Sequence, residues 1–286
     1  MMVDTEKNPL VQLLPFRHEH LEGAFKLSQE MSWMHRYEDW EVALAVGRGF
    51  VLVENGCVIG TALWWPYGED HATMGMIIVA KAAQGRGLGS CLMDALLDSA
   101  KSRTVTLIAT SQGLPLYKRR GFVPIGAVYQ HQGIPKALPV DGALRPVRPM
   151  VAEDLAFVER MDWEATGWQR PALLRRLALV GEGWVLVRDG IPRGFAICRP
   201  FGRGHVIGPV VADNMADSQA LIQAALAKLG STFVRVDVPA TSQLSAWLEE
   251  AGLMQVPGDN ITMVLGAEVP PPGPAHLFAL AAQSFN

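Results

Sequence analysis

Apolar positions along this chain fall into two kinds of pattern, short runs that suit strands and stripes that suit helices. A short strand ending at Pro15 hands over to an amphipathic helix marked by Leu21, Phe25 and Leu27. Phe50 to Val53 and Val58 to Trp65 read as strands. The Asn55-Gly56 pair between them supplies the positive φ angles of a tight hairpin. A third strand covers about Met74 to Val79. After it comes a helix beginning at Gly89, with Leu92, Met93, Leu96 and Leu97 on one face. A fourth strand, Val105 to Ala109, leads to a short helix carrying Tyr117 and then to Gly121-Phe122.

The same series occurs twice. Leu14 to Leu21 lies over Arg148 to Leu155, and Gly49 to Gly56 lies over Gly183 to Gly190 at the same offset. Slightly out of that register, Ala109-Thr110-Ser111-Gln112 recurs letter for letter as Ala240-Thr241-Ser242-Gln243. Three matches in one order mark a duplicated domain. In the second copy Leu155, Val158 and Met161 supply the helical stripe, and Asp189-Gly190 supplies the hairpin turn. The stretch from Gly133 to Arg148, with Pro135, Pro139 and Pro146, is the natural boundary. The expected divisions are residues 1–138 and 144–268, then a proline-rich connection and tail over 269–286. That tail, Ala275 to Phe285, is apolar enough that it is expected to pack on the body.

Composition narrows the classes. At 286 residues with 49% hydrophobic content, the chain can bury a sizeable core. A net charge of −3 gives no electrostatic footprint for nucleic acid. With no run of eighteen apolar residues and no apolar signal core in Met1 to Leu10, the chain is expected to be cytoplasmic, with no membrane partner. The three cysteines, Cys57, Cys91 and Cys198, are far apart in apolar stretches and are expected to be small core residues. The seven histidines have no metal-ligand spacing, so no metal is expected.

The chemistry centres on Gln84-Gly85-Arg86-Gly87-Leu88-Gly89. The loop lies between an apolar strand, Met76-Ile77-Ile78-Val79, and an apolar-faced helix, so unpaired amides at a helix start point out where an anion can meet them. Glycines let phosphate oxygens approach the backbone, and Arg86 adds charge. A Walker loop is excluded because its lysine is missing. A dinucleotide fingerprint is weak because Ser90 stands where its third glycine belongs.

The surviving pattern, Gln/Arg-x-x-Gly-x-Gly/Ala after a strand, resembles the pyrophosphate loop of the GNAT superfamily of N-acetyltransferases, over roughly the first 130 residues. A second match is Leu116-Tyr117-Lys118-Arg119-Arg120-Gly121-Phe122, since that family often places a tyrosine four residues before a Gly-Phe pair. The resemblance implies an α/β (α+β) fold: tandem acyl-CoA N-acyltransferase domains, each a mixed, mostly antiparallel sheet flanked by helices. It implies acetyl-CoA as co-substrate, bound by Ile77, Ile78, Val79, Gln84, Gly85, Arg86, Gly87, Leu88, Gly89 and Ser90. Tyr117 would be the general acid, because a phenol stays protonated at neutral pH and can donate to a departing thiolate.

A base is harder to name. Glu38, Asp39, Glu69, Asp70, His35 and His131 are candidates, each of them expected to be an exposed polar residue. Asp39 and Glu69 rank first as residues of loops bordering the acceptor site. Trp33, His35, Trp40 and Trp64, with Trp65 and Tyr67, would wall the acceptor cleft; core packing explains the aromatic residues equally well. Trp64 and Trp65 are adjacent in a strand, so at most one faces any cleft.

The second copy lacks the loop. Ala212-Asp213-Asn214-Met215-Ala216-Asp217 stands in its place, with carboxylates for glycines, and Leu248 lies over Tyr117. One active site per chain is expected, transferring acetyl from acetyl-CoA to a small-molecule primary amine by direct attack in a ternary complex. The alternatives are a non-catalytic acyl-CoA or small-ligand sensor, and an acyltransferase for protein amines or longer acyl chains. A homodimer is open.

Overall fold

The computed structural model describes residues 11–136, 146–258, 260–267 and 270–286. The N-terminal decapeptide and most of the expected linker, with Pro139, lie outside them. The described residues form two compact units, those up to 64 with 76–101 and those of 65–75 with 102 onward.

The first unit contains β1 (Gln12–Pro15), α1 (Leu21–Glu30), α2 (Tyr37–Val46) and β2 (Arg48–Glu54). It also takes in β3 (Cys57–Tyr67) up to Trp64, β4 (His71–Val79) from Met76, and α3 (Leu88–Ala100). β1 pairs with β2 and β2 with β3, both antiparallel. The hairpin turn is the expected one: Asn55 and Gly56 have φ of 50° and 78°, the twist that matches two antiparallel strands. Leu92, Met93 and Leu96 are fully buried, so the apolar stripe of α3 faces inward. Gly60 makes room for it, because a Cβ there would lie 3.2 Å from Leu92 Cδ1 and 3.3 Å from the Ile78 carbonyl oxygen. Met76 adopts a left-handed φ of 52°, and its carbonyl accepts a buried hydrogen bond from Thr61 Oγ1 at 2.8 Å. That bond holds a conformation in β4 that a side-chain-bearing residue adopts at a cost.

The second unit takes the remaining residues of β3 and β4 and adds β5 (Thr104–Ala109), α4 (Leu114–Lys118) and β6 (Val123–Gly133). Then follow β7 (Val147–Pro149), α5 (Leu155–Thr166), α6 (Pro171–Val180), β8 (Glu182–Arg188), β9 (Ile191–Phe201) and β10 (Gly204–Ala212). The chain ends with α7 (Met215–Leu229), β11 (Val234–Pro239), α8 (Ser245–Glu250), β12 (Met254–Gln255), β13 (Asn260–Leu265) and β14 (His276–Ala279). Within this unit the strands run β4-β5-β13-β6-β11-β10-β9-β8-β7, with β12 on β6 and β14 on β10. β4 with β5 and β10 with β11 are parallel, and the other pairs are antiparallel.

The two sequence copies are interleaved here. β13, from the second copy, lies between β5 and β6 of the first, in registers such as Met263 with Leu107 and Ile261 with Ala127. β6 in turn pairs with β11 over six residues, from Val128 with Pro239 to Gly133 with Val234. Exchange of this kind makes β6 a central strand, which is consistent with its wholly buried Val128 and His131. The second copy otherwise mirrors the first. Asp189 and Gly190 have φ of 53° and 74°, close to Asn55 and Gly56.

The tail packs as its apolar composition demands. β14 pairs with β10, Ala275 and Phe278 to Ala282 are buried, and Phe285 lies edge-on to Trp65 with ring centroids 5.0 Å apart. Two of the three cysteines depart from expectation. Cys198 is buried, but Cys57 and Cys91 are exposed. Cys57 directly follows the hairpin turn, and Cys91 shares the outer stripe of α3 with Asp94 and Asp98, so apolar neighbours in sequence misled for both.

Candidate active site

In the first unit, β4 ends at Val79 and one turn of 3-10 helix, Lys81–Ala83, leads into the glycine loop. Gln84 Nε2 donates to the Val79 carbonyl at 3.1 Å, tying the loop back to the strand it leaves. Gly85 and Gly87 have φ of 78° and 76°, and a Cβ on either would meet nothing within 4 Å. Backbone conformation, not crowding, therefore requires glycine here, and the backbone lies open to an approaching group. Gly87 caps α3, whose first internal bond runs from the Cys91 amide to the Gly87 carbonyl. Helix geometry gives the amides of Leu88 and Gly89 no carbonyl acceptor within the helix. Helix dipole and exposed amides together make an anion seat.

Arg86 is less free than its position in the loop suggests. Its Nη2 donates to Glu54 Oε1 at 2.7 Å and its Nη1 to Glu54 Oε2 at 3.3 Å. The hydrogen bond to Arg86 holds the Glu54 carboxyl below its usual range and raises the guanidinium in turn. An anion on this loop relies first on the backbone. Of the residues before it, Ile78 is buried, with Ile77 and Val79 half-buried on either side.

The corresponding turn of the second copy, within the second unit, is built differently. Asn214 caps α7, accepting from the Asp217 amide at 3.0 Å and donating to Asp217 Oδ2 at 2.9 Å. Asp217, fully buried, accepts from Arg188 Nη2 at 2.7 Å. The positive end of α7 already has a carboxylate, so it offers no seat to a second anion.

Tyr117, on α4 of the second unit, is buried, and burial pushes its phenol up to about 12. Its ring lies across the start of α4: a Cβ added at Gly113 would come within 2.7 Å of Tyr117 Cε2. The Phe122 amide donates to the Tyr117 carbonyl at 3.2 Å. The second copy repeats this bond from Leu253 to Leu248 at 2.9 Å. The backbone is kept there and the phenol is lost.

The acid–base candidates separate clearly. Asp39, expected in a loop, is instead the third residue of α2 and is buried. Its Oδ2 accepts from the Arg36 amide at 2.8 Å and its Oδ1 from Arg36 Nη2 at 2.9 Å, so it works as a helix cap. Glu69 does lie in a loop, almost fully exposed, with Arg103 at 3.5 Å. His131, expected to be exposed, is buried between the Leu253 carbonyl and Ser245 Oγ, both 3.1 Å away. Trp40 is wholly buried, donating from Nε1 to Ser28 Oγ at 3.2 Å, and belongs to the α1–α2 core. Trp64 and Trp65 are both buried. Trp33 and His35, with ring centroids 5.5 Å apart, are half-buried between α1 and α2.

One part of the second unit had no motif to announce it. A cavity of about 950 Å³ is walled by β5, β6, the turn after β11, the start of α7 and the tail. His71 on β4 and Trp168 after α5 line it, their ring centroids 5.2 Å apart. Asn286 lines it too, nearly fully buried, with an amide Nδ2 that has no hydrogen-bond partner among the described residues. Burial lowers the His71 pKa, partly offset by Asp70. Only the position of His71 next to Asp70 hinted at a titratable group here. Trp168 and Asn286 come from distant sequence, so no local pattern could find them. Among the described residues no group of three or more His, Cys, Asp or Glu side chains is arranged to hold a metal ion, and no helix is long and apolar enough to cross a membrane.

Comparison with known proteins agrees with this geometry. Residues 14–122 match the model of the acetyltransferase (GNAT) family, and residues 158–279 match that of an acetyltransferase (GNAT) domain. The chain is 27% identical over 286 residues to an uncharacterized N-acetyltransferase, YitH, of Bacillus subtilis, covering 96% of this chain and 98% of that one. A putative acetyltransferase from Pyrococcus horikoshii superposes with a TM-score of 0.79 at 20% identity, covering 96% of both chains. A tandem GNAT protein from the clavulanic acid biosynthesis pathway superposes with a TM-score of 0.67 at 14% identity, covering 91% of this chain and all of that one. With one GNAT model on each sequence copy and the glycine loop in only one of them, the chain belongs to the GNAT superfamily as a two-domain N-acetyltransferase with a degenerate second domain.

Proposed function

We propose that this protein transfers an acetyl group from acetyl-CoA to a small-molecule primary amine by direct attack in a ternary complex. The observation that carries the reading is the Gln84–Gly89 loop, whose two left-handed glycines open the backbone at the start of a long helix. The amides around Gly87 hold the pyrophosphate, with Arg86 beside them and Ser90 in the first turn. Ile77, Ile78 and Val79 offer strand backbone to the pantetheine arm.

In the reaction the amine nitrogen attacks the thioester carbon, a C–N bond forms, the C–S bond breaks with its electron pair going to sulfur, and the nitrogen releases its proton to water. Tyr117 serves that sulfur. Burial pushes its phenol up to about 12, well above a thiol, so complete proton transfer to sulfur runs uphill. Tyr117 therefore acts chiefly as a hydrogen-bond donor to the developing thiolate, which water protonates afterwards.

Asp39 is a weak choice of base, since both of its oxygens are engaged. Glu69 is almost fully exposed and pairs with Arg103 at 3.5 Å, which leaves it a weakly positioned base. The test is thiol release from acetyl-CoA over a panel of primary amines, with acetyl-CoA binding measured in parallel by calorimetry. Turnover with at least one amine supports the transferase. Tight acetyl-CoA binding with no turnover favours the sensor, and no binding removes the loop assignment.

A further inference from the structure

We propose that the 950 Å³ cavity of the second unit is the acceptor site, built for a small amine with an apolar body and no acidic group. Its identity as acceptor site rests on the acetyltransferase reading; its ligand chemistry is argued from its walls.

The size suits a small molecule, since pockets of roughly 300–1,000 Å³ enclose ligands of drug size. The position is apt, because His71 on β4 and Thr106 and Ile108 on β5 line it, and these strands pair directly in parallel. Trp168 offers a flat aromatic wall.

Charge sets the class. Among the described residues lining the cavity there is no lysine or arginine, and Asp213 is the one acidic side chain. Asp213 has Arg193 only at 4.0 Å, the limit of an ion pair, so it can also receive an ammonium group. Behind the wall, Arg170 lies 5.4 Å from the Trp168 ring, but Asp162 already neutralises it through bonds of 2.7 and 2.9 Å. A ligand carboxylate or phosphate would enter without a counter-charge, and desolvation makes that costly. The orphan Asn286 amide can donate to a neutral oxygen such as a hydroxyl or ether.

The test compares pairs that share a body and differ by one carboxylate: 2-phenylethylamine with L-phenylalanine, and tryptamine with L-tryptophan. Binding to the full chain is measured by ligand-observed NMR with acetyl-CoA replaced by CoA, and CoA binding is measured separately by calorimetry. The expected result is that each amine binds at least tenfold more tightly than its amino acid. Gly126 lines the cavity, and a Cβ there meets nothing within 4 Å, so Gly126→Trp fills the space without a clash at the backbone. That variant should weaken amine binding at least tenfold and leave CoA binding unchanged. Asp213→Asn, which changes no volume, should weaken the amines about tenfold and shrink their preference over the amino acids.

Amino acids binding as well as their amines, failure of either amine to bind at millimolar concentration, or indifference to both variants overturns the proposal. In each of these cases intact CoA binding leaves the acetyltransferase reading standing. Loss of CoA binding by the wild type counts against that reading instead.

Discussion

Arg188 donates to both carboxylate oxygens of Asp217 in the second domain, and Asp217 sits in the first turn of α7. In the first domain the residue that aligns with Arg188 is Glu54, and its partner Arg86 comes from the loop ahead of α3. The pair survives duplication with its charges exchanged. In one copy the helix start carries Arg86 and bare glycine backbone, and in the other a buried carboxylate. Acetyl-CoA should therefore bind with a stoichiometry of one per full-length chain. Isothermal titration measures this directly, and two equivalents would show that α7 also seats a pyrophosphate.

Gly85 gives a sharper test of the first loop. A methyl group there meets no neighbour, so Gly85→Ala acts through backbone alone, at a cost of about 1–2 kcal/mol for a left-handed residue with a Cβ. If the loop keeps its shape, the fold loses that amount. If the loop relaxes, the amides leave their places. The expected outcome is a KM for acetyl-CoA raised about tenfold with kcat nearly unchanged. An unchanged KM would mean that the loop does not hold the co-substrate.

Tyr117→Phe removes one oxygen and leaves the ring packed on Phe122 and Gly113. A hydrogen bond to a charged partner contributes about 1.5–3 kcal/mol, so kcat should fall roughly 10- to 100-fold with little change in acetyl-CoA binding. Gly113→Ala reaches the same phenol from outside. Its backbone is ordinary, with φ of −79°, but the new methyl would press to 2.7 Å from Tyr117 Cε2 and displace the ring. A comparable loss of kcat is expected from Gly113→Ala, read by steady-state kinetics; a normal kcat in both variants would exclude Tyr117 from the reaction.

What the sequence disclosed and what it hid follow one physical line. Features fixed by a few neighbouring residues could be read directly: the Asn55-Gly56 turn, the Leu92-Met93-Leu96 stripe, and the glycine loop ahead of α3. Features made by residues far apart could not. Nothing local shows that β13 will slot between β5 and β6, because the pairing of Met263 with Leu107 spans most of the chain. Asp39 illustrates the intermediate case. Three residues after Arg36, at the start of a helix, it had a capping position available, and the polar stretch around it suggested a loop instead. His71 and Trp168, nearly a hundred positions apart, meet only in the folded second unit.

His71 yields a prediction about stability. Burial lowers its folded pKa below the ordinary 6.5, against the pull of neighbouring Asp70, so the imidazole is neutral at pH 7. Below pH 6.5 the unfolded chain takes up a proton at this histidine before the folded chain does. Protonation then favours the unfolded state, and the contribution of His71, complete above pH 6.5, is lost as pH falls toward the lower folded value. Urea midpoints should therefore drop between pH 7.5 and pH 5.5 more steeply for the wild type than for His71→Gln, which cannot titrate. Parallel curves for the two proteins would place His71 in water.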